Sequence, residues 1–291
     1  MPPSPIGHRA GSRTTSETTS SSVRLAAATN ILKTWLLVAI PTAAAAGIGW
    51  LIADVRGGLL FSGCSLLGWG TVYAVGDRAL LGMLNARPFA LAESPLLRST
   101  VDRLAAGLGV LPPRLYLIDD PFPRTFAVGR GPRSAAIAVS TGLLGALPAE
   151  GLAAILAHEV AHIRARDVLP QTFAVLTAEM LLEASRLGGW LARPLLYLLA
   201  PVGSAFIHLP LSPRRELAAD ARAADVSGEP HALADALLRL DHASDLVSFA
   251  APPATAPLYP IDLFDDSRLA RMFKTHPPLA SRVARLRALG S

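Results

Sequence analysis

Two consecutive runs without a charged residue, Trp35–Ala53 and Gly57–Gly76, set the strongest limit on what this chain can fold into. Each is about 20 residues long, and a helix rising about 1.5 Å per residue then crosses the roughly 30 Å apolar core of a bilayer. Only Asp54, Val55 and Arg56 separate them. The expected structure over 31–78 is therefore a pair of transmembrane helices joined by a tight turn, with a buried soluble hairpin as the competing reading. Composition favours the membrane. Of 291 residues, 51% are hydrophobic and 17% charged, whereas a soluble domain carries about 25% charged residues. Mean hydropathy is +0.40.

Residues 1–30 open with a Ser/Thr-rich stretch that lacks apolar periodicity and reads as a disordered tail. No clear small-residue cleavage site follows, so a signal peptide is not expected. Arg9, Arg13, Arg24 and Lys33 precede the first apolar run, and Arg78 and Arg87 follow the second. The positive-inside bias then places the tail and everything after residue 78 on the cytoplasmic side. The net charge of +5 comes from 27 basic and 22 acidic residues, with the arginines scattered and aromatics at 6%. No basic block is interleaved with aromatics. The bilayer, not nucleic acid, is the expected partner of that charge. The single cysteine, Cys64, allows no internal disulfide and no thiolate cluster, and reads as a small apolar residue in a membrane helix.

Residues 79–291 read as one mostly helical α+β domain, with 88–167 part of its soluble portion. Leu97, Val101, Leu104 and Leu108 predict a helix over Pro95–Gly109. Arg114–Asp119 predicts a strand. Phe126–Gly129 and Ser134–Ser140 predict a strand pair across a Gly-Arg-Gly-Pro turn. Pro148 and Glu150 open a helix that runs to about Arg166. Residues 168–211 read as a second hydrophobic hairpin that spans the membrane, lies on it or packs on the core of the domain. Its first half carries Glu179 and Glu183, and its second Arg193 and His208. Carboxylates at membrane depth are expensive, which weakens the spanning reading. From Ser212 the chain is polar and helical again.

The sharpest chemical signal is His158-Glu159-Val160-Ala161-His162. Residues i and i+4 share a helix face, so both imidazoles can reach one cation, with Glu159 placed as general base. The surrounding helix is apolar, and polar groups in such a setting need a reason. A catalytic zinc takes a third protein ligand and keeps one position open. Spacing alone leaves Glu179, Glu183, Glu216, Asp220, His231, His242 and His276 as candidates. Glu216 and Asp220 stand out, because they lie at i and i+4 on a helix that starts just after the second hairpin. The alternative there is a solvated charged face shared with Arg214, Arg215 and Arg222.

Taken in order, these pieces resemble the M48 metallopeptidases, in particular the HtpX-like membrane proteases of bacteria. The matching elements are the N-terminal hairpin, Phe126-Ala-Val-Gly129, Ala136–Leu144, His158–His162, a further hydrophobic hairpin, Arg215-Glu216-Leu-Ala-Ala-Asp220, and Thr275-His-Pro-Pro-Leu279 with Arg282. The resemblance implies a zincin fold with the second hairpin inserted between the zinc motif and the third ligand. It implies one Zn²⁺ per chain, held by His158, His162 and Glu216, with Glu159 as base and Asp220 orienting a ligand histidine. It also implies a multi-pass protein of the bacterial inner membrane with its active site facing the cytoplasm. The reaction implied is hydrolysis of internal peptide bonds in misfolded or damaged membrane proteins, as quality control under stress.

Arg215, Arg222 and His276 are candidates to steady the transition-state oxyanion. Ala136 and Ala138 are candidate backbone contacts for an extended substrate, if their strand is a sheet edge. Where the family often has Asn before the Phe-Ala pair, this chain has Thr125, which removes a side-chain amide from that position. Two rival functions are a processing or signalling protease with one substrate, and a non-catalytic zinc-binding scaffold. The presence of the base argues against the scaffold.

Overall fold

The structure, a computed structural model, describes residues 11–90, 94–186, 213–246 and 277–290. Helix α1 (Gly11–Met83) is a helical run broken at Ala53 (φ −149°, ψ 39°) and Asp54 (φ 50°, ψ −145°). There the chain doubles back. Thr42 Oγ1 and Ser65 Oγ, 23 residues apart, lie 3.0 Å from each other. A Cβ added at Gly57 would stand 2.0 Å from the Gly49 carbonyl oxygen, so only glycine lets the two arms approach this closely at their tip. The break falls at 53–54, just ahead of the expected turn. The stretch Ala28–Met83 is long and apolar enough to cross a membrane by length and composition. Its large apolar side chains face outward, Leu51 at 85% and Leu67 at 73% exposure. Helix begins already at Gly11, within the stretch expected to be a disordered tail, because a nucleated helix extends at little expense per residue. Residues 1–10 of that tail lie outside the described residues.

A four-stranded sheet follows, with strands β1 (Arg87–Pro88), β2 (Arg114–Ile118), β3 (Thr125–Val128) and β4 (Ala136–Ser140) in the order β1-β2-β4-β3. Helix α2 (Pro95–Gly107) lies between β1 and β2 in sequence. It starts on Ser94, whose side chain accepts from Leu97 N. Strands β3 and β4 pair antiparallel, with Phe126 opposite Ala138. Strands β2 and β4 pair parallel, with Tyr116 opposite Ala138. Strand β4 is thus an inner strand, bonded on both sides, and its five residues are all buried. This corrects the expectation that Ala136 and Ala138 lie on a free edge. Pairing with β2 spends the backbone groups that a substrate would need, and the open edge of the sheet on this side is β3.

Alternation along the strands explains why both faces are apolar. Ile137 and Val139 join Leu115, Leu117 and Ala127 in a core with α2 and the later helices. Ala136 and Ala138 join Phe126, Val128 and Ile118 in a second core against Leu80, Leu81 and Leu84 of α1. Ser140 locks the end of β4. Its hydroxyl donates to Phe122 O at 2.7 Å and accepts from Arg124 N and Leu143 N. In this way it caps the short helix α3 (Thr141–Ala146).

The remaining described helices are α4 (Ala149–Ala165), α5 (Val168–Arg186), α6 (Pro213–Ser227), α7 (Pro230–Leu246) and α8 (Leu279–Leu289). The start of the second expected hydrophobic hairpin is α5, and its remainder, 187–211, lies outside the described residues. His276 lies outside them as well.

Candidate metal centre

Helix α4 is built to be buried. Ala, Leu, Ile and Val fill most of its length, Glu150 sits in its first turn, and Arg166 ends it in a left-handed conformation (φ 59°). Three polar residues interrupt the apolar series, His158, Glu159 and His162, and they are 1%, 4% and 5% exposed. Helix α6 packs against α4 and brings Glu216 and Asp220 to the same place, each 2% exposed.

The two imidazoles stand edge to face, with their Nε2 atoms 3.1 Å apart. Glu216 Oε2 is 3.5 Å from His158 Nε2, and its Oε1 is 3.6 Å from His162 Nε2. Tetrahedral zinc with bonds of about 2.0–2.2 Å separates its ligand atoms by about 3.3–3.5 Å, and the two Nε2 atoms and one Glu216 oxygen lie close enough together to share one ion. The other ring nitrogens face carboxylates. Asp220 Oδ1 lies 2.9 Å from His158 Nδ1, and Asp167 Oδ2 lies 2.9 Å from His162 Nδ1. Carboxylates in that position hold a histidine in the tautomer that presents Nε2 to a metal. Asp220 is in turn gripped by Arg282 of α8, which donates from Nε and Nη2 at 2.7 Å each.

Electrostatics follow from burial and from these pairs. Burial tends to neutralise His162, but the Glu216 charge and the Asp167 hydrogen bond outweigh it and hold the imidazole at about 9. His158 is likewise raised, its burial overcome by Asp220 and Glu216. Burial pushes the Glu159 carboxyl up, against the pull of the two imidazoles. The Ala127 backbone beside it pulls the other way as well. Burial would also raise Asp220, yet Arg282 and His158 bring it down to about 2.

Of the residues singled out from sequence, His158, Glu159, His162, Glu216 and Asp220 come together. Arg215 reaches the same cluster, but its guanidinium binds Glu216 Oε1 at 2.9 Å and Gln171 Oε1 at 3.3 Å. Arg222 is half-buried toward Asp167 and Arg164. His242 is exposed, and His231 packs on Gly290, both away from the cluster. Asp167 was not anticipated. Its signal is the spacing of five from His162 across the left-handed Arg166, which only the turn from α4 to α5 converts into contact.

A buried helical histidine pair, a third carboxylate ligand atom beside it and a glutamate next in the chain define the metallopeptidase class. Residues 92–289 match peptidase family M48, and the chain belongs to that family. It is similar to the protease HtpX homolog of Acidiphilium cryptum (strain JF-5), 42% identical over 275 residues, covering 89% of this chain and 96% of that one. The protease HtpX homolog of Pelotomaculum thermopropionicum is 37% identical, covering 89% and 99%. Protease HtpX of Legionella pneumophila (strain Lens) is 36% identical with the same coverage. The crystal structure of S. mikatae Ste24p aligns with a TM-score of 0.50 at 18% identity, over 89% of this chain, and the chain spans 65% of that protein's length. This last likeness concerns the fold.

Proposed function

We propose that the chain is a membrane-anchored zinc endopeptidase, with His158, His162 and Glu216 as the metal ligands and Glu159 as the general base. The observation that carries this reading is the convergence of the two Nε2 atoms and the Glu216 carboxylate on one point, each imidazole backed by its own aspartate. Bound there, Zn²⁺ would supply Lewis acidity, polarising the scissile carbonyl and acidifying the attacking water. Glu159 takes the proton from that water and returns it to the leaving amine. Burial raises its basicity.

Ala127 also points to where substrate lies. It pairs in register with Ile137 of β4 and its backbone lies beside the base, so the outer edge of β3 runs past Glu159. An extended peptide adding to β3 would be held by backbone hydrogen bonds, with little reading of its side chains. Such recognition suits unfolded polypeptides and supports quality control of damaged membrane proteins over processing of one target. The two arms of α1 would span the bilayer, and Arg78 and Arg87 after them favour a cytoplasmic active site in a bacterial inner membrane.

The test is cleavage of an unfolded soluble protein by the detergent-purified full chain with Zn²⁺, beside Glu159→Gln. Loss of the base should cut kcat by about 10²-fold or more while zinc stays bound. Equal turnover by both zinc-loaded proteins would remove Glu159 from the chemistry and with it this mechanism.

A further inference from the structure

Asn30 lies in the first arm of α1, just before the uncharged run, and is 6% exposed. A polar side chain at the threshold of a membrane helix needs a partner. Its partners are in the soluble domain. Nδ2 donates to Ala165 O at 3.0 Å and to Asp167 Oδ1. The first bond takes a carbonyl in the last turn of α4, where intrahelical donors run out. The second takes the oxygen of Asp167 that does not face His162.

We propose that Asn30 is a positioning residue of the metal centre, acting through Asp167 to fix the rotation of the His162 ring. The inference rests on the metal-ligand reading of His162 given above. Asp167 needs such a clamp because of where it sits. It follows the left-handed Arg166, in the turn between two helices, and is not held by either helix's own hydrogen-bond ladder through its side chain. Arg215 Nε, 3.9 Å from Asp167 Oδ2, supplies charge but no close hydrogen bond. Asn30 supplies direction, since one amide group bonds the helix end and the carboxylate together. The support behind the ligand set therefore includes the helix expected to serve only as an anchor, and the hairpin becomes part of the site.

The experiment measures Zn²⁺ affinity of the full chain in detergent by competition with a chromophoric chelator. The variants are Asn30→Leu, Asn30→Ala, Asp167→Ala, the Asn30→Leu/Asp167→Ala double, and His162→Ala. Leucine is close in size to asparagine and better suited to a membrane helix, so Asn30→Leu should insert and fold. Removing a group that orients a metal-bound histidine typically weakens binding about 10–100-fold, and that loss is expected for both Asn30 variants. The double variant should bind no more weakly than Asp167→Ala alone, because Asn30 acts through Asp167. A general folding defect would instead add to the loss. Affinity within about twofold of wild type for Asn30→Leu and Asn30→Ala, or losses that multiply in the double variant, would overturn the inference. If His162→Ala binds zinc like wild type, the ligand reading itself fails, and this inference falls with it.

Discussion

Arg282 and Asp220 form a two-pronged ion pair, 2.7 Å at both contacts, with Arg282 1% and Asp220 2% exposed. Because Asp220 also meets His158, the pair links the last described helix to the metal centre. A buried carboxylate with a guanidinium beside it stays ionised. Left alone, it would be an uncompensated charge in an apolar interior.

Arg282→Met should therefore lower unfolding free energy by about 3–5 kcal/mol. Arg282→Met/Asp220→Asn should recover much of that loss, since the buried charge is gone. Thermal melts in detergent check both. A melt unchanged by Arg282→Met would show that Asp220 does not depend on it.

Metal removal should destabilise the folded chain as well as stop turnover. A ligand bound only by the native state at 100 times its Kd adds about 2.7 kcal/mol. Dialysis against a chelator should lower the melting temperature, and Zn²⁺ should restore it in wild type but not in His162→Ala. A zinc-insensitive melt in wild type would count against a bound ion.

Substrate pairing with β3 predicts sensitivity to the substrate's own backbone. Peptides N-methylated beside the scissile bond should show kcat/KM reduced about tenfold per strand hydrogen bond lost, at 1.4 kcal/mol each. Side-chain changes at the same positions should matter less. The reverse ranking would place recognition in pockets and favour a single-substrate protease.

The hairpin tip tolerates no side chain where its arms touch. A Cβ at Gly49 would meet Gly57 O at 2.2 Å, whereas one at Gly63 meets nothing within 4 Å. Gly49→Ala should force the arms apart at about 1–3 kcal/mol, and Gly63→Ala should be silent. Limited proteolysis of the purified protein in micelles distinguishes them.

What could be read from sequence was what helical periodicity alone places. His158, Glu159 and His162 share a helix, as do Glu216 and Asp220, so their spacing already states their geometry. The uncharged runs and the strand pair Thr125–Val128 and Ala136–Ser140 were legible for the same local reason. Asp167, Arg282 and Asn30 were not legible as parts of the centre, since tertiary closure creates their contacts. Asn30 meets Ala165 across 135 residues and Arg282 meets Asp220 across 62. The order of strands was hidden too. β2 inserts beside β4 through a parallel pairing, and nothing in the alternation of Ala136–Ser140 distinguishes an inner strand from an edge whose two faces are both covered.

The linkage of Arg282 to the centre has a temporal side. Synthesis runs from the N-terminus, so Asn30 and both histidines leave the ribosome long before residue 282. Until α8 emerges, Asp220 lacks its guanidinium and His158 lacks a settled partner. A growing chain thus carries an incomplete centre until residue 282 has emerged.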